Sequence, residues 1–285
     1  MIKPFWLNKR IELSSCRKMK IILRELNIHT ICEEALCPNV SECFSLGVAT
    51  FMILGRICTR DCKFCAVEKG NPKSIDLTEA LKVKEAVERL NLRYVVITSP
   101  SRDDLEDKGA KLFFSVIKEL KRVKCVEKVE ALIPDFSLNI NAIRMVVSAQ
   151  PQVISHNIET VSSLYKILRP SYNYKNSLKV LETVKKLSKD IFVKSGIILG
   201  FGEKDKEVIQ TIGHLRDSGC DFLSIGQYLS PSKNCFPVKE YVSLEKFNYF
   251  REVALSLGFL NVFSGPYVRS SYLASMYFDN LLPTL

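Results

Sequence analysis

From residue 50 onward, short apolar runs alternate with stretches whose apolar positions recur at helical spacing. The runs at 50–54, 94–98, 128–133, 152–156, 191–199 and 222–226 are rich in β-branched or aromatic residues and bounded by turn formers, which predicts six strands. Between them, Val83, Ala86, Val87 and Leu90 fall at i, i+3, i+4 and i+7. Phe113, Val116, Ile117 and Leu120 repeat that spacing, and Val180, Leu181, Val184 and Leu187 share one helical face. Asp76 with Glu79 three residues on marks a helix start. Strand–helix units in series predict a parallel sheet covered by helices. Six units fall short of a closed eight-stranded barrel, so the expected fold is α/β, a partial (β/α)6 TIM-type barrel with N- and C-terminal extensions. Its site is expected at the carboxyl ends of the strands.

The residues that follow each predicted strand agree with that placement. Cys58 follows the first, Ser99, Arg102 and Asp103 the second, and Pro134-Asp135 the third. His156, Asn157 and Glu159 follow the fourth, Gly200, Gly202 and Glu203 the fifth, and Gln227-Tyr228 the sixth. The chain divides into an N-terminal extension (1–49), the barrel (50–229) and a C-terminal extension (230–285), with no repeat or low-complexity segment.

Composition is that of a globular protein, 47% hydrophobic and 25% charged. No apolar run approaches the roughly 18 residues that cross a bilayer, so no membrane association is expected. The N-terminal residues lack the apolar core of a secretory signal. Ten cysteines without such a signal point to a reducing, cytoplasmic setting in which cysteines serve metals or catalysis. The net charge of +10 favours acidic partners. No nucleic-acid motif accompanies it, and the lysines spread along 179–189 read as a solvated face.

Six cysteines form two triplets fifteen residues apart, Cys32-x4-Cys37-x5-Cys43 and Cys58-x3-Cys62-x2-Cys65. Three thiolates in a short segment can hold three corners of a four-iron cluster and leave the fourth iron open. Zinc usually takes four ligands in paired short spacings, which neither triplet supplies. A disulfide framework belongs to small secreted chains. Cys16, Cys125 and Cys220 stand alone and read as buried, inert thiols; Cys235 is left open.

The second triplet, just after Phe51-Met52-Ile53-Leu54-Gly55 and with Phe64 before its last cysteine, resembles the radical S-adenosylmethionine superfamily. Gly196-Ile197-Ile198-Leu199-Gly200-Phe201-Gly202-Glu203 resembles the segment that lies beside the adenine there. The first triplet, within Cys32-Glu33-Glu34-Ala35-Leu36-Cys37-Pro38-Asn39, resembles the lipoyl synthases. So do Arg102-Asp103-Asp104-Leu105, Leu132-Ile133-Pro134-Asp135-Phe136, His156-Asn157-Ile158-Glu159-Thr160, Lys194-Ser195-Gly196 and Arg269-Ser270-Ser271-Tyr272. The matches run from Lys3 to Ala274.

The resemblance implies insertion of two sulfurs at C6 and C8 of a protein-bound octanoyl-lysine by a radical sulfurtransferase. It implies two 4Fe-4S clusters and S-adenosylmethionine. One cluster would be held by Cys58, Cys62 and Cys65, the other, the sulfur donor, by Cys32, Cys37, Cys43 and Ser270. Asn157 and Glu159 are expected at the ribose, Lys194 or Arg169 at the carboxylate, and Gly200 beside the adenine; Arg269 is a further candidate anchor. Implied partners are octanoylated lipoyl-carrier domains, which are acidic, and an electron donor such as a flavodoxin or ferredoxin; a monomer is expected. The competing reading is an iron–sulfur electron carrier or scaffold, which leaves the Gly196–Glu203 segment unexplained. The chain departs from the family at Pro100-Ser101, at Tyr172 and at Cys235, where a histidine is common.

Overall fold

A computed structural model of the chain describes residues 4–8, 16–46 and 48–278. It resolves into two compact units. The first comprises Arg10–Asp61 with Ala66–Ile154. In it come α1 (Arg17–Glu25), β1 (His29–Thr30), α2 (Ile31–Glu34), α3 (Val40–Ser45), β2 (Thr50–Met52), α4 (Glu79–Leu90), β3 (Tyr94–Thr98), α5 (Ala110–Leu120), β4 (Lys128–Leu132) and α6 (Ile140–Ser148). β2, β3 and β4 run parallel in that order, with Met52 beside Thr98 and Thr98 beside Leu132. β1 joins antiparallel, His29 facing Met52.

The core of this unit follows from the helical faces seen in the sequence. Val83, Ala86 and Val87 of α4, and Phe113, Val116, Ile117 and Leu120 of α5, are fully buried, as are Phe51 and Met52 of β2 and Val95 and Ile97 of β3. Each large apolar side chain removed from water in this way contributes about 1.5–3 kcal/mol. α4 ends at Asn91, whose φ of 52° closes the helix in the left-handed region. The helix begins at Glu79 with Thr78 as the capping residue, and Asp76 accepts the Thr78 N–H at 2.8 Å.

β5 (Val153–Ser155) spans the point where the chain passes into the second unit, Met1–Lys9 and Cys62–Cys65 with Ser155–Leu285. Here lie α7 (Ser162–Leu168), α8 (Tyr174–Leu187), β6 (Phe192–Leu199), α9 (Asp205–Asp217), β7 (Phe222–Gln227), α10 (Leu244–Ser256) and β8 (Asn261–Gly265). β6, β7 and β8 are parallel, with Ser195 beside Leu223 and Leu223 beside Val262. Val180, Leu181 and Val184 of α8, Ile212 and Leu215 of α9 and Phe247 and Phe250 of α10 are buried with the strands. Each of the six expected strands is present; β1 and β8 are additional. Among the described residues, no helix is long and apolar enough to cross a membrane.

Candidate functional site

In the first unit, the parallel order of β2, β3 and β4 brings the segments that follow them to one edge. β2 runs into a strained turn: Leu54 has a φ of 69° and Gly55 one of 79°. A non-glycine residue rarely adopts that conformation unless its surroundings hold it. Glu79 accepts the Leu54 N–H at 2.9 Å, and the Arg102 guanidinium donates to the Leu54 carbonyl at 2.9 Å. Burial pushes the Glu79 carboxyl up to about 7, although the N–H groups of Leu54 and Gly55 favour its anion.

The turn leads to Cys58. Its N–H donates to the Glu68 carbonyl at 2.8 Å, and its own carbonyl accepts from Gly70 at 3.0 Å. The Arg60 N–H donates to Cys58 Sγ at 3.4 Å. The Arg60 side chain is buried and clamps the loop. Its Nε donates to Asp103 Oδ2 at 2.7 Å, and its second terminal nitrogen to Asp103 Oδ1 at 2.8 Å and Ser137 Oγ at 3.0 Å, with Asp135 Oδ1 an ion-pair partner 2.8 Å from the same nitrogen. Thr59 donates to the Ser101 carbonyl at 3.0 Å. Paired with Arg60, the Asp103 carboxyl is held down to about 2. Pro100-Ser101 thus leads directly into this network. The spacing of the cysteines gave no sign of the clamp. Its one sequence signal is a basic residue inside the cysteine loop and acidic residues just past the next two strands.

Cys32, Cys37 and Cys43 belong to the same unit. Cys32 sits in α2, capped by Thr30, whose hydroxyl accepts from Glu33. Leu36, at φ 51°, reverses the chain so that the Cys37 N–H reaches the Cys32 carbonyl at 3.0 Å. Cys43 lies in α3, its N–H on the Asn39 carbonyl at 2.9 Å. Burial pushes the Cys32 thiol up to about 11, and the neighbouring Cys37 adds to the rise.

The second unit holds Cys62 and Cys65. The segment is tied by Lys63, whose N–H donates to Leu168 at 2.9 Å and whose carbonyl accepts from Phe236 at 2.8 Å. The Phe64 ring packs 5.7 Å from that of Phe201. Cys235 points its thiol at the Cys65 carbonyl, 3.9 Å away. Around Asn157 the structure gathers Ser270, Arg169 and Glu159. Asn157 Oδ1 accepts from Ser270 Oγ at 2.9 Å, and its carbonyl accepts from Arg169 at 3.0 Å. Glu159, φ 68°, bonds through its backbone to Gly196 and Ile198 of β6. Its carboxyl is raised by burial, against the pull of Arg169, Asn157 and Arg269. Tyr172, the family departure, stacks 3.8 Å over the Arg169 guanidinium.

Lys194 is fully buried, its Nζ 4.2 Å from the Tyr277 ring centroid. Gly200 donates its N–H to Glu203 Oε1 at 2.6 Å, and Phe201 to Oε2 at 2.9 Å, so Glu203 closes the glycine turn. Gly200 needs its φ of 109°, where a side chain would strike Gln227. Of the three isolated cysteines, Cys16 and Cys220 are buried, whereas Cys125 is only half-buried.

These residues suit the groups that the cysteine pattern implies. Arg169 Nε is buried with no hydrogen-bond partner among the described residues, which leaves a donor for a carboxylate. A Cβ on Gly196 would lie 2.6 Å from Ser224 Oγ and 3.0 Å from Asn157 Oδ1, so the bare glycine keeps Asn157 in place. Among the described residues, no three His, Cys, Asp or Glu side chains converge as ligands of a single metal ion would. A four-iron cluster makes a different demand, because its thiolates bind separate irons at separate corners.

Residues 52–215 match the family model of the Radical SAM superfamily. The fold agrees: methylornithine synthase superposes with a TM-score of 0.57 at 13% identity, covering 87% of this chain and 70% of that one. The α/β partial barrel read from the sequence is thereby the fold of the chain. Lipoyl synthase of Caldicellulosiruptor saccharolyticus is 51% identical over 95% of this chain and 96% of its own length. That of Caldanaerobacter subterraneus subsp. tengcongensis is 50% identical, covering 96% of each. Within the radical S-adenosylmethionine superfamily, whose members use a 4Fe-4S cluster and S-adenosylmethionine, this chain belongs to the lipoyl synthase family, and it is a sulfurtransferase enzyme.

Proposed function

We propose that the chain inserts two sulfur atoms, at C6 and C8, into an octanoyl group amide-linked to a lysine of a carrier protein. The observation that carries this reading is the presence of both cysteine triplets and Arg269-Ser270-Ser271-Tyr272 in a chain aligned over 95% of its length with a lipoyl synthase. Cys58, Cys62 and Cys65 hold one 4Fe-4S cluster, and Cys32, Cys37, Cys43 and Ser270 a second. When bound, the first with S-adenosylmethionine supplies a 5′-deoxyadenosyl radical that takes hydrogen from unactivated carbon, and the second supplies sulfur.

The protein's part is to bind and orient. Arg169, stacked on Tyr172, bonded to the Tyr165 hydroxyl and with Nε open, takes the carboxylate of S-adenosylmethionine. Asn157 and Glu159 address the ribose, and the Gly200 turn, fixed by Glu203, lies against the adenine. Lys194 is the second cation for the carboxylate. Ser270, which donates to Asn157, is the one hydroxyl in the ligand set. An oxygen ligand among thiolates binds its iron less firmly, which suits a cluster that must come apart. The basic surface favours acidic carrier domains. Electrons come from a flavodoxin- or ferredoxin-type donor. The N-terminal extension (1–49) carries the sulfur-donating triplet and the C-terminal extension (230–285) its serine. The enzyme acts as a cytoplasmic monomer.

The test is anaerobic. Reconstituted protein, reductant, S-adenosylmethionine and an octanoyl-lysyl peptide should give a peptide heavier by two sulfurs less the hydrogens lost. Cleavage of S-adenosylmethionine with an unchanged peptide would reject the substrate.

A further inference from the structure

We propose that Arg60 is a positioning residue for the electron-accepting cluster: its side-chain clamp fixes the loop so that its own N–H stays bonded to Cys58 Sγ. This rests on the assignment of Cys58, Cys62 and Cys65 to that cluster.

Arg60 lies two residues past Cys58, and its guanidinium reaches across two further strand ends. Asp103, 43 residues on, receives two of its N–H groups at 2.7 and 2.8 Å. Asp135 forms an ion pair with it at 2.8 Å. Ser137 closes the network, donating to Asp103 Oδ1 at 3.0 Å while accepting from Arg60. Thr59 braces the neighbouring peptide against Ser101 and Asp103, both at 3.0 Å. A buried arginine facing two carboxylates is costly to assemble, since two like charges must come within reach of one cation. Ordinary loop closure needs one partner. Here the partners come from the ends of β3 and β4, so the loop is referenced to the sheet edge and not only to its own turn.

The consequence falls on the sulfur. The N–H···Sγ contact of 3.4 Å is made by the Arg60 backbone, which the clamp holds. Hydrogen bonds to cluster sulfurs are among the factors that set reduction potential. An N–H dipole aimed at a thiolate favours the more negative, reduced cluster and raises its potential. Outer partners of metal ligands typically matter tenfold to a hundredfold.

The experiment uses the full chain, reconstituted anaerobically in a Cys37→Ala background, so that one cluster signal remains. Loss of that signal on adding Cys62→Ala establishes its origin; persistence would overturn the underlying assignment and this proposal with it. The midpoint potential is then read by electron paramagnetic resonance titration. Arg60→Gln should leave the signal but move the potential negative, by about tenfold in reduced fraction at fixed poise, equal to about 59 mV for one electron. Arg60→Lys, which keeps the charge but not the fork, should fall between. Asp103→Asn, which weakens the clamp from a residue outside the cysteine loop, should shift it in the same direction and serves where Arg60→Gln fails to take up iron. An unchanged potential in a loaded Arg60→Gln or Asp103→Asn protein would overturn the proposal.

Discussion

The two cysteine triplets are set into the fold in different ways. Cys58 stands in a loop tied at every level: backbone bonds to Glu68 and Gly70, a clamp from Arg60 to Asp103 and Asp135, and a strained Leu54–Gly55 entry held by Glu79 and Arg102. Cys32, Cys37 and Cys43 ride on two short helices stitched by short-range backbone bonds, Cys37 to Cys32 at 3.0 Å and Val48 to Cys43 at 2.7 Å, and tied further off by the Cys16 thiol on the Ser41 carbonyl and by the pairing of Thr30 with Phe51. A cluster used at each turnover benefits from a rigid frame. On the proposed function the first triplet's cluster is consumed as sulfur donor, and two short helices open more readily than a loop held by a buried ion-pair clamp. On that reading the contrast between the triplets is one of permanence.

Substitutions can break that contrast. The largest effect is expected for Cys62→Ala, which should abolish 5′-deoxyadenosine formation while the iron–sulfur absorption of the first triplet persists; retained cleavage would refute the division. Ser270→Ala should slow sulfur insertion by about tenfold to a hundredfold, and more than Ser271→Ala, as read by mass spectrometry of the peptide. The reverse order would move the ligand to Ser271. Gly226→Ala drives a Cβ into the Val268 carbonyl and should lower thermal stability by about 1–3 kcal/mol through strain. Since Gly226 is in β7, that loss should leave the first unit's clamp untouched. The smallest effect concerns Glu79. Its carboxyl is raised to about 7 in the fold and stands near 4.3 in an unfolded chain. Between those values the folded chain holds the proton and the unfolded chain does not, so stability falls as pH rises, by at most about 4 kcal/mol. Glu79→Gln should flatten that slope in urea melts across pH 5–8; an unaltered slope would show that Glu79 does not bind the proton.

Much of this was legible in the chain. Strands and helices with a sustained period appear where the pattern placed them, because burial on one face is what the pattern records. β1 has two residues and no period to read. β8 starts with Asn261 and ends at Gly265, polar positions that satisfy themselves through the Tyr277 carbonyl and, at Ser264, the Phe247 carbonyl. The cysteines and the strand-end residues announced the family through their motifs. The Arg60 clamp did not, for its partners are 43 and 75 residues away and only parallel strand order brings them together. The same holds for Tyr172, whose stacking on Arg169 turns an apparent substitution into part of the cation's setting.

The division of labour between the triplets is tested most directly by Cys37→Ala. In one anaerobic reaction with the octanoyl-lysyl peptide, 5′-deoxyadenosine and peptide-bound sulfur are counted together. The account predicts that cleavage of S-adenosylmethionine continues and that no sulfur enters the peptide. Sulfur in the product would contradict it, and so would loss of cleavage in protein that still carries the cluster of the second triplet.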